Sequence, residues 1–160
     1  MAAVDYFLKL DGIQGESRDL KHKDEIQLES FSWGAVNESA HSAGGGGGAG
    51  KVQIEGLHIT KRIDKASPLL FLACAAGRHI KSAILTGRKA VKGQQEFLVV
   101  KLNDLLVSSY HTTGGPDGDP VDQLSFNFAK ISFGFHSQRP DGSLAPLVEA
   151  GWDVKANKQT

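Results

Sequence analysis

Three long stretches of this chain alternate apolar and polar residues, and in each the alternation slips by one place. Ile26 and Leu28 set one phase, and Phe31 and Trp33 take up the other. Val52 and Ile54 alternate, then Leu57 and Ile59 carry on out of step past Gly56. Leu124, Phe126 and Phe128 give way to Ile131, Phe133 and Phe135. A period of two marks a half-buried strand. A slip of one residue turns the apolar set to the wrong face unless an extra residue bulges out and bends the strand. Bent strands let a sheet curl until its edges meet. The pattern predicts a mainly β protein, a closed or nearly closed barrel of bent antiparallel strands, over an open sandwich that would give the same signal. At 160 residues, 1–160 reads as a single domain.

The remaining elements are set by local signals. Tyr6 to Leu10 begins a strand that Asp11-Gly12 ends. Further strands are expected at Ile80 to Lys89, Glu96 to Ser108 and around Trp152 to Val154. Loops are expected at Thr113 to Gly118 and Gln138 to Gly142. One segment breaks the β pattern. Ser67-Pro68 reads as an N-cap with proline in the first helical position, Leu69, Leu72, Ala73 and Ala76 recur at helical spacing, and Gly77 sits where a left-handed C-cap belongs. A helix of about nine residues is too short to stand alone and must pack on the barrel. On this basis Ser67→Ala costs about 1 kcal/mol through the lost cap. Cys74 lies inside the helix as a small packed residue.

Eighteen basic residues balance eighteen acidic ones, which removes any net electrostatic pull toward nucleic acid or an anionic membrane. No stretch is long and apolar enough to insert in a bilayer as a helix, and the N-terminus does not resemble a secretory signal. A lone cysteine excludes an internal disulfide and fits folding in a reducing cytoplasm. The histidines at 22, 41, 58, 79, 111 and 136 show no metal-ligand spacing. There is no nucleophile elbow and no calcium loop. No active site, metal site or cofactor site is expected.

The run Ala43 to Lys51 contains Gly45-x-x-x-x-Gly50-Lys51, the skeleton of a phosphate-binding loop. Val52 stands where such a loop needs Ser or Thr, and Val52 to Glu55 reads as a strand rather than a helix. The stretch Ser42, Ala43, Gly44, Gly45, Gly46, Gly47, Gly48, Ala49 and Gly50 is better read as an extended glycine-rich loop between two strands. The alternative is a monomeric barrel that binds a ligand or nucleotide through this loop.

A set of short motifs runs in a fixed order along the chain. It begins at Asp5-Tyr6-Phe7-Leu8-Lys9-Leu10-Asp11-Gly12-Ile13 with Gly15-Glu16-Ser17, and continues through His22, Glu25-Ile26 and Ser30-Phe31-Ser32-Trp33-Gly34. Its most specific part is Thr60-Lys61 with Asp64-Lys65-Ala66-Ser67-Pro68 and Gly77-Arg78-His79-Ile80. Leu85-Thr86, Arg88-Lys89-Ala90, Val107-Ser108-Ser109, Leu124-Ser125-Phe126-Asn127-Phe128, Gln138, Asp141-Gly142 and Gly151-Trp152-Asp153 complete it. In this order the chain resembles the Hcp family, the haemolysin-coregulated tube proteins of bacterial type VI secretion. Val91-Lys92-Gly93 departs from the shorter glycine turn common in the family.

The resemblance implies structural work rather than catalysis. It implies a homohexameric ring, rings stacked into a tube inside a contractile sheath, a spike protein at the tip, small effector proteins carried in the lumen, and export without a cleaved signal peptide. It implies no nucleic-acid partner and no membrane insertion. The chain ends just past the last expected strand, so no appended effector domain is expected. Within this frame Ser42 to Gly50 becomes an arm that touches the next ring. Phe31 and Trp33 should face the core, which turns Ser32 to the opposite face as the candidate lumen position. Ordinary outer surface is the alternative for Ser32.

Overall fold

The computed structural model describes residues 3–37, 51–91 and 93–160. Among them are nine strands and one helix: β1 Val4–Leu10, β2 Ile26–Leu28, β3 Ser30–Asn37, β4 Val52–Arg62, α1 Ser67–Ala76, β5 His79–Lys89, β6 Gln95–Gly115, β7 Gly118–Phe135, β8 Val148–Asp153 and β9 Lys158–Gln159. The strands run antiparallel in the order β2-β1-β5-β6-β7-β4-β3, with β8 and β9 attached beside β7. β2 and β3 are two halves of one stretch, Ile26 to Asn37, parted only by Glu29. The first half pairs with β1 at one edge of the sheet and the second half with β4 at the other. The Glu29 N–H donates to the Thr60 carbonyl at 2.8 Å. One continuous segment thus spans both edges, and the barrel is nearly closed. Leu8, Ile26, Leu57, Leu85, Val100, Leu102, Leu105, Leu124 and Phe126 fill it and are almost fully buried.

Two of the three slips are the expected bends. At Glu29 and Ser30 two exposed residues stand in sequence, and the inward phase passes from Ile26 and Leu28 to the half-buried Phe31 and Trp33. Past Gly56 the bulge lies in β4: Ser32 faces His58 while Gly34 faces Glu55, so β4 uses one residue more than β3. A Cβ on Gly56 would collide with the Phe126 carbonyl oxygen. Only glycine lets the two backbones approach so closely.

The third slip has a different cause. Asn103–Lys130 and Leu105–Phe128 keep one register, and both strands change phase together, with Asp104 in a left-handed conformation at φ 53. Ile131 is buried, but Phe133 and Phe135 stay 38% and 43% exposed, so the expected buried set stops at Ile131. Their partners across β6, Val100 and Leu98, are buried. Directly opposed residues point to the same face. Phe133 and Phe135 therefore continue the core face at a mouth of the barrel that the chain itself leaves open.

Thr113 to Gly118, expected as a loop, is instead the tip of the β6–β7 hairpin. Gly115 pairs with Gly118 around the two-residue turn Pro116-Asp117. The ladder needs only backbone groups and so extends through residues of low strand propensity.

α1 packs Leu70 and Ala73 against the barrel. Gly77 closes it in the left-handed conformation, φ 62, and the Arg78 and Gly77 N–H groups reach back to the Ala73 and Cys74 carbonyls at 3.0 and 3.4 Å. No side chain would touch a Cβ at Gly77, so the cost of substitution there is conformational alone. Gly77→Ala is expected to cost about 1 kcal/mol and Gly77→Val more. Urea midpoints unchanged in both variants would mean that the cap contributes nothing to stability.

The N-terminal expectation needs correction. Ala66 is the N-cap and no side chain caps the helix. The Ser67 hydroxyl is buried and serves an ion-pair cluster instead: it donates to the Asp122 carboxylate and accepts from the Lys61 ammonium and the Asp64 N–H. Proline at the following position removes one orphan donor, so the helix start does not depend on a serine cap.

Candidate functional site

Ser32 lies on β3 with its side chain exposed and its neighbours Phe31 and Trp33 packed toward the core. The register extends it into a line. Ser32 faces His58 on β4, His58 faces Ser125 on β7, and Ser125 faces Ser109 on β6. A second line runs beside it: Ser30, Thr60, Gln123 and His111. Residues in register share a face, so these side chains form one polar strip across four strands, opposite the core face of Leu57, Ile59, Leu124 and Phe126. None is a lysine, arginine, aspartate or glutamate. His58 Nδ1 and Ser125 Oγ lie 2.7 Å apart. A serine and a histidine at that distance have two parts of a nucleophilic triad. The other partner of His58 across the register is Ser32, and among the described residues no carboxylate pairs with the ring, so the pair reads as a surface hydrogen bond.

Of the histidines singled out in the sequence, His58 and His111 belong to this strip, and His22, His79 and His136 make contacts elsewhere. The Ser42 to Gly50 run lies outside the described residues. His22 is buried, with Nδ1 3.0 Å from both Glu25 carboxylate oxygens and Nε2 2.7 Å from Glu96. His79 pairs with Asp104, and His136 contacts the Ala145 carbonyl. Cys74 is half-buried and packs against the core. Among the described residues no group of three or more His, Cys, Asp or Glu is placed to hold a metal ion, and no helix is long and apolar enough to cross a membrane.

Two charged clusters have no counterpart among the sequence expectations. In the first, Lys61 and Asp122 are both fully buried and paired across β4 and β7, with Nζ 2.9 Å from Oδ2. Lys61 also reaches Asp64 at 2.7 Å, and Tyr110 and Thr112 donate to Asp122 at 3.0 and 2.8 Å. Burial opposes the Asp122 charge, but hydrogen bonds from Ser67, Lys61 and Thr112 and the lysine charge outweigh it, and the carboxyl lies below its ordinary range. A signal was available: Lys61 is in phase with Leu57 and Ile59, and Asp122 with Leu124 and Phe126. Opposite charges at inward positions of two strands point to a buried pair.

In the second cluster, Arg88 is buried and binds Asp19 through two bonds of 2.8 Å. Its guanidinium lies 4.9 Å from the Phe7 ring, and His22 stacks on the same ring at 4.4 Å. The Arg88 hydrogen bond, set against burial, holds the Asp19 carboxyl at about 2. Both aspartates are depressed in the folded state, so their stabilisation is present above the unfolded value near 3.8 and is lost as pH falls through the folded value. Urea midpoints are expected to drop as pH falls from about 4 toward 2. A constant midpoint there would overturn the assignment.

A nearly closed β-barrel carrying one helix among the described residues, with a polar strip free of lysine, arginine, aspartate and glutamate on its outward face, defines the class of protein. Residues 7–135 match the family model described as type VI secretion system effector, Hcp. The protein named hcp1 of Pseudomonas aeruginosa is 40% identical over 98% of this chain and 99% of its own length. A solved type six secretion system protein superposes with a TM-score of 0.93 at 30% identity, covering 99% of this chain and 100% of its own. Hcp1 from Salmonella typhimurium superposes at 0.82 with 39% identity over the whole of both chains. The chain belongs to the Hcp family, the tube and effector proteins of type VI secretion systems.

Proposed function

We propose that the chain is a tube subunit that assembles as homohexameric rings, stacks ring on ring inside a contractile sheath behind a spike protein, and leaves the cell by that route without a cleaved signal. Small effector proteins ride in the ring lumen, whose wall is the strip centred on Ser32. The Ser42 to Gly50 run contacts the next ring. No cofactor and no catalytic residue takes part.

The observation that carries this is the strip. Its serines, threonine, glutamine and histidines form a continuous surface free of fixed charge, where a passing polypeptide meets hydrogen-bonding groups and no strong electrostatic trap. Contacts of this kind are individually weak and gain strength when repeated around a ring. The test joins native mass to cargo retention. The wild-type chain is expected to be ring-sized by light scattering at micromolar concentration. Ser32→Gln is expected to leave that mass unchanged while a co-expressed small effector of the same secretion system no longer co-elutes. A strictly monomeric wild type sinks the ring. Unchanged co-elution in Ser32→Gln sinks the lumen assignment alone.

A further inference from the structure

α1 has no polar face. From Pro68 to Ala76 it carries no charged, amide or hydroxyl side chain. Leu70 and Ala73 turn into the barrel, while Leu69, Phe71 and Leu72 remain 47%, 57% and 40% exposed. A surface helix normally sets polar residues opposite its buried stripe, and a helix apolar all round is one that is covered on both sides. A second apolar patch lies at the open mouth of the barrel. Phe133 and Phe135 are exposed there on β7. Val148 on β8, 73% exposed, pairs directly with Phe135.

These two patches cannot serve each other within one chain. α1 sits beside the Tyr110 end of β6, with the Phe71 ring 6.3 Å from Tyr110, whereas Phe135 pairs with Leu98 near the start of the same strand. The residues between them span up to roughly 40 Å of extended strand. A foreign partner on either patch would leave the other bare. A second copy of the chain, placed head to tail, covers both at once. Two unlike patches joined in this way make a heterologous contact, the kind that generates a ring when the rotation closes.

We infer that the outer face of α1 on one subunit packs against the Phe133–Phe135–Val148 patch of the next. This rests on the ring proposed above and names the surfaces that build it. Leu69, Phe71 and Leu72 form the apolar centre of one side, and the barrel mouth receives them. The same contact shields the uncovered end of the core.

The test uses the full chain with Cys74→Ala, so that no native thiol interferes. Phe71→Cys and Val148→Cys in one chain are expected, on oxidation, to give a covalent ladder up to the closed ring on a non-reducing gel. An equal mixture of the two single variants is expected to stop at dimers. As a check free of disulfide geometry, Phe71→Asp and Val148→Asp, both at exposed positions, are each expected to shift the native mass from ring to monomer with an unchanged far-UV spectrum. A ring that forms normally in both aspartate variants and yields no cross-link overturns the pairing of faces while leaving the ring intact. Phe71→Cys cross-linking to itself as well as the double variant does would mean a two-fold contact and overturn the head-to-tail arrangement. A wild-type chain that is monomeric overturns the ring, and the pairing with it.

Discussion

Asp122→Ala is expected to destabilise the fold by about 3–5 kcal/mol, a large part of what a domain of this size holds in reserve. The alanine would leave the Lys61 ammonium without its buried counter-charge, and Ser67, Tyr110 and Thr112 would each lose an acceptor. An uncompensated buried charge costs far more than a paired one contributes, so the reference matters. Lys61→Met combined with Asp122→Leu removes both charges together and is expected to recover most of the loss. Chemical denaturation of the single and double variants separates the two. If Asp122→Ala unfolds at the wild-type midpoint, the cluster is not holding β4, β7 and α1 together.

Phe7→Ala is expected to cost about 3–5 kcal/mol as well, for a different reason. Phe7 is almost fully buried, and its ring carries both the His22 stack and the Arg88 guanidinium. Truncation leaves a cavity and also frees the two side chains that tie down the segment containing Asp19, His22 and Glu25. The stability loss should therefore come with faster amide exchange between residues 15 and 25. A Phe7→Leu variant, which fills more of the space, should lose less stability. Equal losses from both would mean that the cavity is not the cause and that the ring contacts to His22 and Arg88 alone carry the effect.

Much of the barrel was legible because alternation is a local signal tied to burial. Gly56 marked its bulge and Gly77 its cap, since each is a place where the backbone requires a residue without a Cβ. That Ser32 is exposed opposite Phe31 and Trp33 follows from those two residues alone, but its alignment with His58, Ser125 and Ser109 depends on registers between strands far apart in sequence. Ser67 misled because serine before proline is a frequent helix start, and nothing local reveals that its hydroxyl has a buried carboxylate to serve. Lys61 and Asp122 were passed over because charged residues are ordinarily solvated. Phe133 and Phe135 kept the inward phase yet stayed exposed. Alternation specifies which way a side chain points, and whether anything lies there to cover it is settled elsewhere in the assembly or the fold.

The stretch from Ile26 to Asn37, which belongs to both edges of the sheet, bears on how the chain reaches this shape. β5–β6 and β6–β7 are joined by short connections and can zip soon after collapse. Two other ladders are remote: Val4 must find Lys89, and Leu57 must find Phe126. The barrel closes only when both edges are paired, because the same segment is shared between β1 and β4. Such non-local pairing closes large loops before any contact rewards it, which places folding in the millisecond-to-second range rather than microseconds. Until that last segment docks, β1 and β4 both present bare strand edges. The interval before closure is then the period when a newly made chain is most prone to pair with the wrong copy of itself.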